Sequence, residues 1–333
     1  MAGDFDASTD RLTAPLRVLS GHATDDIWAF GEHELVWVDI VDPTSADVAW
    51  LERTFGFHQL ALEDVVRKHQ RPKLDEYPTY VFGVLYATFV DPGSRRISGA
   101  ELQFFWGPTY LVTLHTQPVA ELGDLVTRAR SGSLTPVITT AHRPLAIVDI
   151  VYRMIDAVVD GYFPGVDAIA EWTEDLEEQM FAGQRDPEML QTIFSIRKDL
   201  IHLRKLIAPS REVVNVLLRR DHNLFGDEFD PYFQDVYDHT VRVIESLDTY
   251  RDLLGSAVDT YLSVVSNDVG QTVRKMTAVT AILMVNALIA GIYGMNFAYM
   301  PELQWQYGYY YSLGLMLLCS LILLAIFRRI RWL

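Results

Sequence analysis

Residues 276–293 and 307–327 are two stretches, 18 and 21 residues long, without a single formal charge. A helix of about 20 mostly apolar residues spans a hydrocarbon layer about 30 Å thick, whereas buried helices of soluble domains are usually shorter. The pair therefore predicts two membrane spans joined by a short loop. Arg274 and Lys275 precede the first stretch, Arg328, Arg329 and Arg331 follow the second, and residues 294–306 contain no Lys or Arg. Basic flanks stay on the cytoplasmic side, so both termini are expected inside the cell and the loop outside. The opening "MAGDFDASTDRL" is acidic and has no apolar core, so no secretory signal is expected.

The remaining charge is strongly one-sided. The chain carries −16, and residues 276–333 hold one Glu and three Arg, which leaves −18 on the first 275 residues. Such a surface repels nucleic acid and can concentrate divalent cations, although solubility alone is the commoner reason for it. The sole cysteine, Cys319, lies in the second stretch, so no disulfide within the chain and no cysteine-rich zinc site can form. "HELVW" at 33–37 lacks the second His of a zinc protease, and no Walker loop, GxGxxG or GxSxG occurs. These absences weaken an enzyme reading without excluding it. The expectation is no enzyme and no catalytic residue, with a metal-dependent hydrolase as the weakest alternative because the carboxylates lack a recognised catalytic spacing.

The fold class expected is an α+β membrane protein. Residues 1–144 read as a cytosolic α/β domain, with strands at 34–41, 79–90, 101–107 and 109–116 and helices at 45–56 and 58–69. Thr44 or Ser45 caps the first helix, and Gly107-Pro108 marks a hairpin. Residues 145–229 read as cytosolic antiparallel helices: one long pattern to Phe181 that Pro164 could bend, a turn at 183–187, and a return interrupted at Pro209. From Pro231 to Pro301 there is no proline, and Ile244, Leu247, Tyr250, Leu254, Val258, Tyr261 and Val265 recur in steps of three or four. A stalk helix over 230–275 should thus run straight into the first span at 276–293. Residues 232–293 would make a rod on the order of 90 Å long. The outer loop is 294–306, the second span 307–327, and the basic tail 328–333.

Two helices cannot enclose a lumen, so either the spans anchor the chain or several copies assemble around an axis. The first span carries Thr277, Thr280 and Asn286, whereas the second is dominated by leucine. Polar side chains in a membrane face protein or water, which puts the first span inside and the second toward lipid. The alternative for the threonines and Asn286 is a bond to a neighbouring helix or to their own backbone.

"YGMNF" at 293–297, "MPEL" at 300–303 and the ending "RRIRWL", set around two C-terminal spans, closely resemble the CorA family of magnesium and cobalt channels. "LEDVVRKHQRPKLDEY" (62–77), "MIDAVVDGYF" (154–163), "PYFQDVYDHT" (231–240) and "DTYLSVVSN" (259–267) resemble family segments in the same order. The resemblance implies a homopentamer in the plasma (inner) membrane, with first spans lining a pore below a cytosolic funnel. Its partners would be its own copies and the bilayer, and no nucleic acid. The ion implied is Mg2+, both carried and regulatory, with Co2+ and Ni2+ as further ions that could pass.

Gly294, Met295 and Asn296 match the family's filter tripeptide. Mg2+ dehydrates reluctantly, and a neutral amide oxygen accepts hydrogen bonds from its bound water, so a ring of Asn296 could hold the hydrated ion weakly enough to release it. Gly294 can take a helix-end geometry, Met295 is expected to pack, and Glu302 would add negative potential in the outer loop. The family pattern places Gly270, Val273, Met276, Thr280, Met284 and Ala287 toward the lumen. Met276 and Met284 would be apolar constrictions. Ala287 stands where relatives often have Thr, and Gly270 where they often have a polar ring. For the regulatory ion the resemblance points to Asp64 and Asp235 bridging neighbouring subunits, with Glu63, Asp156 and His69 nearby. A zinc transporter of the same architecture and a membrane-anchored scaffold are the alternatives; Met295 and "MPEL" favour magnesium.

Overall fold

The computed structural model describes residues 16–22, 34–67, 70–91, 93, 95–138, 145–181, 188–219, 225–296, 300–301 and 304–332. The chain divides into two compact units, Met1–Gly255 and Ser256–Leu333.

The first unit is built on a six-stranded sheet. Its strands are β1 (Arg17–Ser20), β2 (Val36–Val41), β3 (Lys73–Glu76), β4 (Val81–Asp91), β5 (Arg96–Trp106) and β6 (Tyr110–His115), in the order β1-β2-β6-β5-β4-β3. β1, β2 and β6 run parallel, while β6, β5, β4 and β3 form an antiparallel meander. Gly107-Pro108 does turn β5 into β6. β4 and β5 pair from Val81↔Trp106 to Asp91↔Arg96. Within that ribbon Gly83 faces Phe104, and a Cβ on Gly83 would collide with the aromatic ring, so only glycine fits.

Side chains alternate along the strands. Val36, Val38 and Ile40 of β2 and Phe105 of β5 pack with Trp50 and Leu51 of helix α1 (Ser45–Phe55), with Leu62 and Val65 of helix α2 (Gln59–Val66), and with Phe57 between the two helices. Thr44 caps α1 in a full capping box with Asp47, and Gly56 closes it in the left-handed conformation at φ 68°. Trp106, one residue out of phase with Phe105, stacks instead on Phe225, which in turn meets Phe233. With apolar cover on both faces, β2 is buried over five consecutive residues rather than alternating.

The helical part contains α3 (Ala120–Arg130), α4 (Ile147–Asp160), α5 (Phe163–Phe181), α6 (Met189–Ile207), α7 (Ser210–Leu218) and α8 (Asp230–Tyr293). The long pattern expected up to Phe181 is therefore two helices. The break falls at Gly161-Tyr162 and not at Pro164, which sits in the first turn of α5, where a missing N–H costs nothing. Pro209 separates α6 from α7, as its ring requires. β1, β3 and α3 were not foreseen, and the turn expected at 183–187 lies outside the described residues.

The second unit holds the end of α8, a single helix of 64 residues, and α9 (Gly308–Arg329). Both helices are long and apolar enough to cross a membrane. They meet where Asn286 Nδ2 donates to Ser320 Oγ at 2.9 Å, and Ala278 and Ile289 are the buried side chains of α8 here. Away from that contact α9 exposes Leu317, Leu318, Leu321 and Ile322.

Candidate pore face and metal cluster

Asn286 spends its amide on Ser320, and Thr277 Oγ1 donates to the Val273 carbonyl of its own helix at 2.8 Å. The polar residues expected to mark a water-facing side are thus partly occupied by helix–helix and backbone bonds. The open side of α8 is marked instead by large apolar residues. Val273, Met276, Thr277, Thr280, Ala281 and Met284 line one groove, and Val273, Met276 and Met284 are 56, 67 and 66% exposed. Ala287 is also exposed, whereas Gly270 is half-buried and neither lines the groove.

This stripe does not stop at the charged pair Arg274-Lys275. Leu262, Val265 and Val269 continue it in the same three- and four-residue steps, at 51, 39 and 59% exposure. Leu262, Val273 and Met284 are 11 residues apart, a period that keeps one face aligned along a nearly straight helix.

At the outer end of α8, Gly294 N–H donates to Ala290 O at 2.9 Å and Met295 N–H to Ile292 O at 3.3 Å. Gly294 is the first residue past the end of α8 and does not have a positive φ. A Cβ there would sit 3.2 Å from the Ala290 carbonyl oxygen, tight against the last turn. Met295, expected to pack, is 47% exposed. Asn296 follows the turn and is exposed. Glu302 lies outside the described residues, as does His69.

In the first unit, α4 and the start of α8 bring Asp156, Asp235 and His239 together, with one possible ligand atom from each inside a 4.8 Å span. Asp160 adjoins them: its carboxylate is 3.3 Å from His239 Nδ1, but out of line for a hydrogen bond. Burial, reinforced by the charges of Asp160 and Asp235, pushes the Asp156 carboxyl up to about 6. A crowded, partly desolvated carboxylate is the environment a hard cation relieves, since Mg2+ takes one or two carboxylates and keeps its waters. The imidazole also suits softer divalent ions.

Sequence reading missed His239. The signal was available, because Asp156 and Asp160, and likewise Asp235 and His239, are four residues apart on helix faces. Asp64 is not part of this cluster within one chain. It binds Lys73 Nζ at 2.7 Å, and Lys73 also holds Asp75. Burial would lower the Lys73 ammonium, but its bonds to Asp64 and Asp75 outweigh that and raise it. Glu63 pairs with Arg67 at 2.6 Å.

A family model described as CorA-like Mg2+ transporter protein matches residues 32–329. The cobalt/magnesium transport protein CorA of Thermotoga maritima is 33% identical over 311 residues, covering 91% of this chain and 87% of that protein. The putative metal ion transporter YfjQ of Bacillus subtilis is 33% identical over 280 residues, covering 84% of each. Among solved structures, the complete CorA magnesium transporter from Methanocaldococcus jannaschii superposes with a TM-score of 0.79 at 25% identity, covering 92% of this chain and 94% of that one.

Proposed function

The chain belongs to the CorA-like Mg2+ transporter family, and from that premise we propose that it is a channel for Mg2+ influx across the plasma membrane. Co2+ and Ni2+ are carried as well. Five copies surround one axis, α8 lines the path, α9 faces lipid, and both termini lie in the cytoplasm. The observation that carries this reading is the apolar stripe of α8. Lipid could cover Met276 and Met284, but Leu262, Val265 and Val269 lie before Arg274-Lys275, where the flank meets water. Exposed apolar residues there call for other protein copies, and the same face continues through Thr280 to Met284.

Along that path Met276 and Met284 form rings that empty of water and close when the copies pack tightly. At the mouth, Asn296 amide oxygens accept hydrogen bonds from the ion's water shell, so the ion is selected without being stripped. The loop residues described carry no positive charge to repel it. Regulation is local electrostatics. Asp64 of one copy and Asp235 of the next repel until cytosolic Mg2+ bridges them, which stabilises the closed packing, and Glu63, Asp156 and His69 hold a second position beside it. His239 adjoins that position on α8. To bridge, the ion must draw Asp64 away from Lys73. Transport assigns no catalytic residue and no chemical step.

The test is uptake in magnesium-starved cells with competing ions. Expression should restore growth at low Mg2+, and Co2+ and Ni2+ should compete with Mg2+ entry. Rescue by zinc alone, or no rescue with the protein in the membrane, contradicts the assignment.

A further inference from the structure

α9 ends at Arg329 in an uncommon cap. Arg331 N–H donates to Arg328 O at 3.2 Å and Trp332 N–H to Phe327 O at 2.9 Å, the paired bonds of a Schellman motif. The left-handed position of that motif usually belongs to glycine. Here it is held by Arg331, at φ 58°. The cap folds Trp332 back on Phe327, with ring centroids 5.8 Å apart and planes 14° from parallel. Arg328, Arg329 and Arg331 are all exposed around it.

These charges have little within their own unit to neutralise them. The only acidic side chains of residues 256–333 are Asp259, Asp268 and Glu302. Exposed Arg274 and Lys275 add to the same end. The Asn286–Ser320 bond sets the register of α8 against α9. From it, Arg274 lies about 18 Å down one helix and Arg328 about 12 Å down the other. Immediately above the cap, α9 exposes Leu321, Ile322 and Ile326.

The geometry points to a binding site for the headgroup of an anionic phospholipid at the capped end of α9. Arg328, Arg329 and Arg331 meet the phosphate, Trp332 sits at headgroup depth, and the acyl chains lie along Leu321, Ile322 and Ile326. A lipid uses all three features. Aromatic rings favour the membrane–water interface, and Lys or Arg beside an anionic leaflet is attracted to it. A soluble phosphate would leave the apolar strip and Trp332 idle. The inference rests on the reading of α9 as a lipid-facing span.

Spin-labelled phosphatidylglycerol and phosphatidylcholine, each added to the full chain in phosphatidylcholine vesicles, test it through the fraction of label held at the protein. Phosphatidylglycerol should be preferred by about five-fold or more at low salt, with the preference shrinking at high salt. Replacing Arg328, Arg329 and Arg331 together by Gln should abolish it. Arg331→Gly keeps the left-handed cap and the other flanking charges, so it should insert normally and lose part of the preference. Equal binding of the two lipids, an unchanged preference in Arg331→Gly, or displacement of the label by inorganic phosphate would each overturn the site. Mg2+ uptake in the same vesicles reports separately on conduction: a lipid preference without uptake counts against the channel and leaves this site standing.

Discussion

At the scale of single residues, the most telling group is Asp156. Its folded-state value, pushed up to about 6 by burial and by Asp160, lies above the ordinary 3.8. A raised carboxyl contributes stability that is fully present below the unfolded value and is lost as pH rises through the folded one. Without divalent ions, Asp156 should therefore weaken the folded chain progressively between about pH 4 and pH 7. Thermal melts of wild type and Asp156→Asn across that window isolate the effect from other carboxylates, and the difference between them should grow as pH rises. Mg2+ should raise the melting temperature more at pH 7.5 than at pH 5, because protons compete for the same oxygens. A Mg2+ shift independent of pH would remove Asp156 from the regulatory position. At the other end of the path, Asn296→Ala should lose most Mg2+ uptake while the oligomer stays intact by size-exclusion light scattering. Unchanged uptake would take Asn296 out of the filter.

Residue chemistry was only partly legible in the sequence. The tripeptide 294–296 could be picked out as a motif, but not that Gly294 follows the last helical residue without a positive φ and close to the Ala290 carbonyl, since a three-letter pattern holds no dihedral angle. Asn286 stood out as polar in an apolar stretch. That its partner is Ser320, 34 residues on, depends on how α8 and α9 pack.

At the scale of elements, the Asn286–Ser320 bond is the polar tie between the two apolar helices. Bonds of this kind in membranes contribute roughly 0.6 to 2 kcal/mol. A double-mutant cycle of Asn286→Leu and Ser320→Ala, read by unfolding in detergent, should show coupling of about 0.5 kcal/mol or more. Strictly additive effects would mean that the bond does not hold the pair.

Elements with a strong apolar run, cap or periodic pattern were read correctly. β2, β4 and β6 are apolar runs, α1 has its cap and its closing glycine, and α8 has no proline between its first turn and Pro301. The elements missed are those whose stability comes from neighbours. β1 reads RVLS and β3 reads KLDE. Both are four-residue edge strands, charged or polar as edges tend to be, and only pairing with β2 and β4 makes them strands. The split between α4 and α5 was not foreseen: Pro164 was weighed only as a possible bend, whereas it stands in the first turn of α5 and the break lies before it.

At the scale of the whole molecule, the proposed pore and the proposed regulatory site are both completed by neighbouring copies. The α8 stripe is apolar before and after Arg274-Lys275, and Asp64 is held by Lys73 away from the Asp156–Asp235–His239 cluster. Replacing Asp64 and Asp235 together by Ala should leave currents in membrane patches insensitive to cytosolic Mg2+ over a range that closes the wild type. Inhibition like that of the wild type would mean that the closing ion binds elsewhere. Assembly was the part least legible in composition: a charge of −16 hints at cations without saying where they bind, and the number five came from family resemblance rather than from any spacing.

The most direct measurement is Mg2+ flux into proteoliposomes of the purified chain, with Mg2+ set independently on the two sides. Influx driven by external Mg2+ should fall steeply as Mg2+ on the face bearing the acidic domain rises. Flux no faster than in protein-free vesicles at low Mg2+ on that face would contradict it.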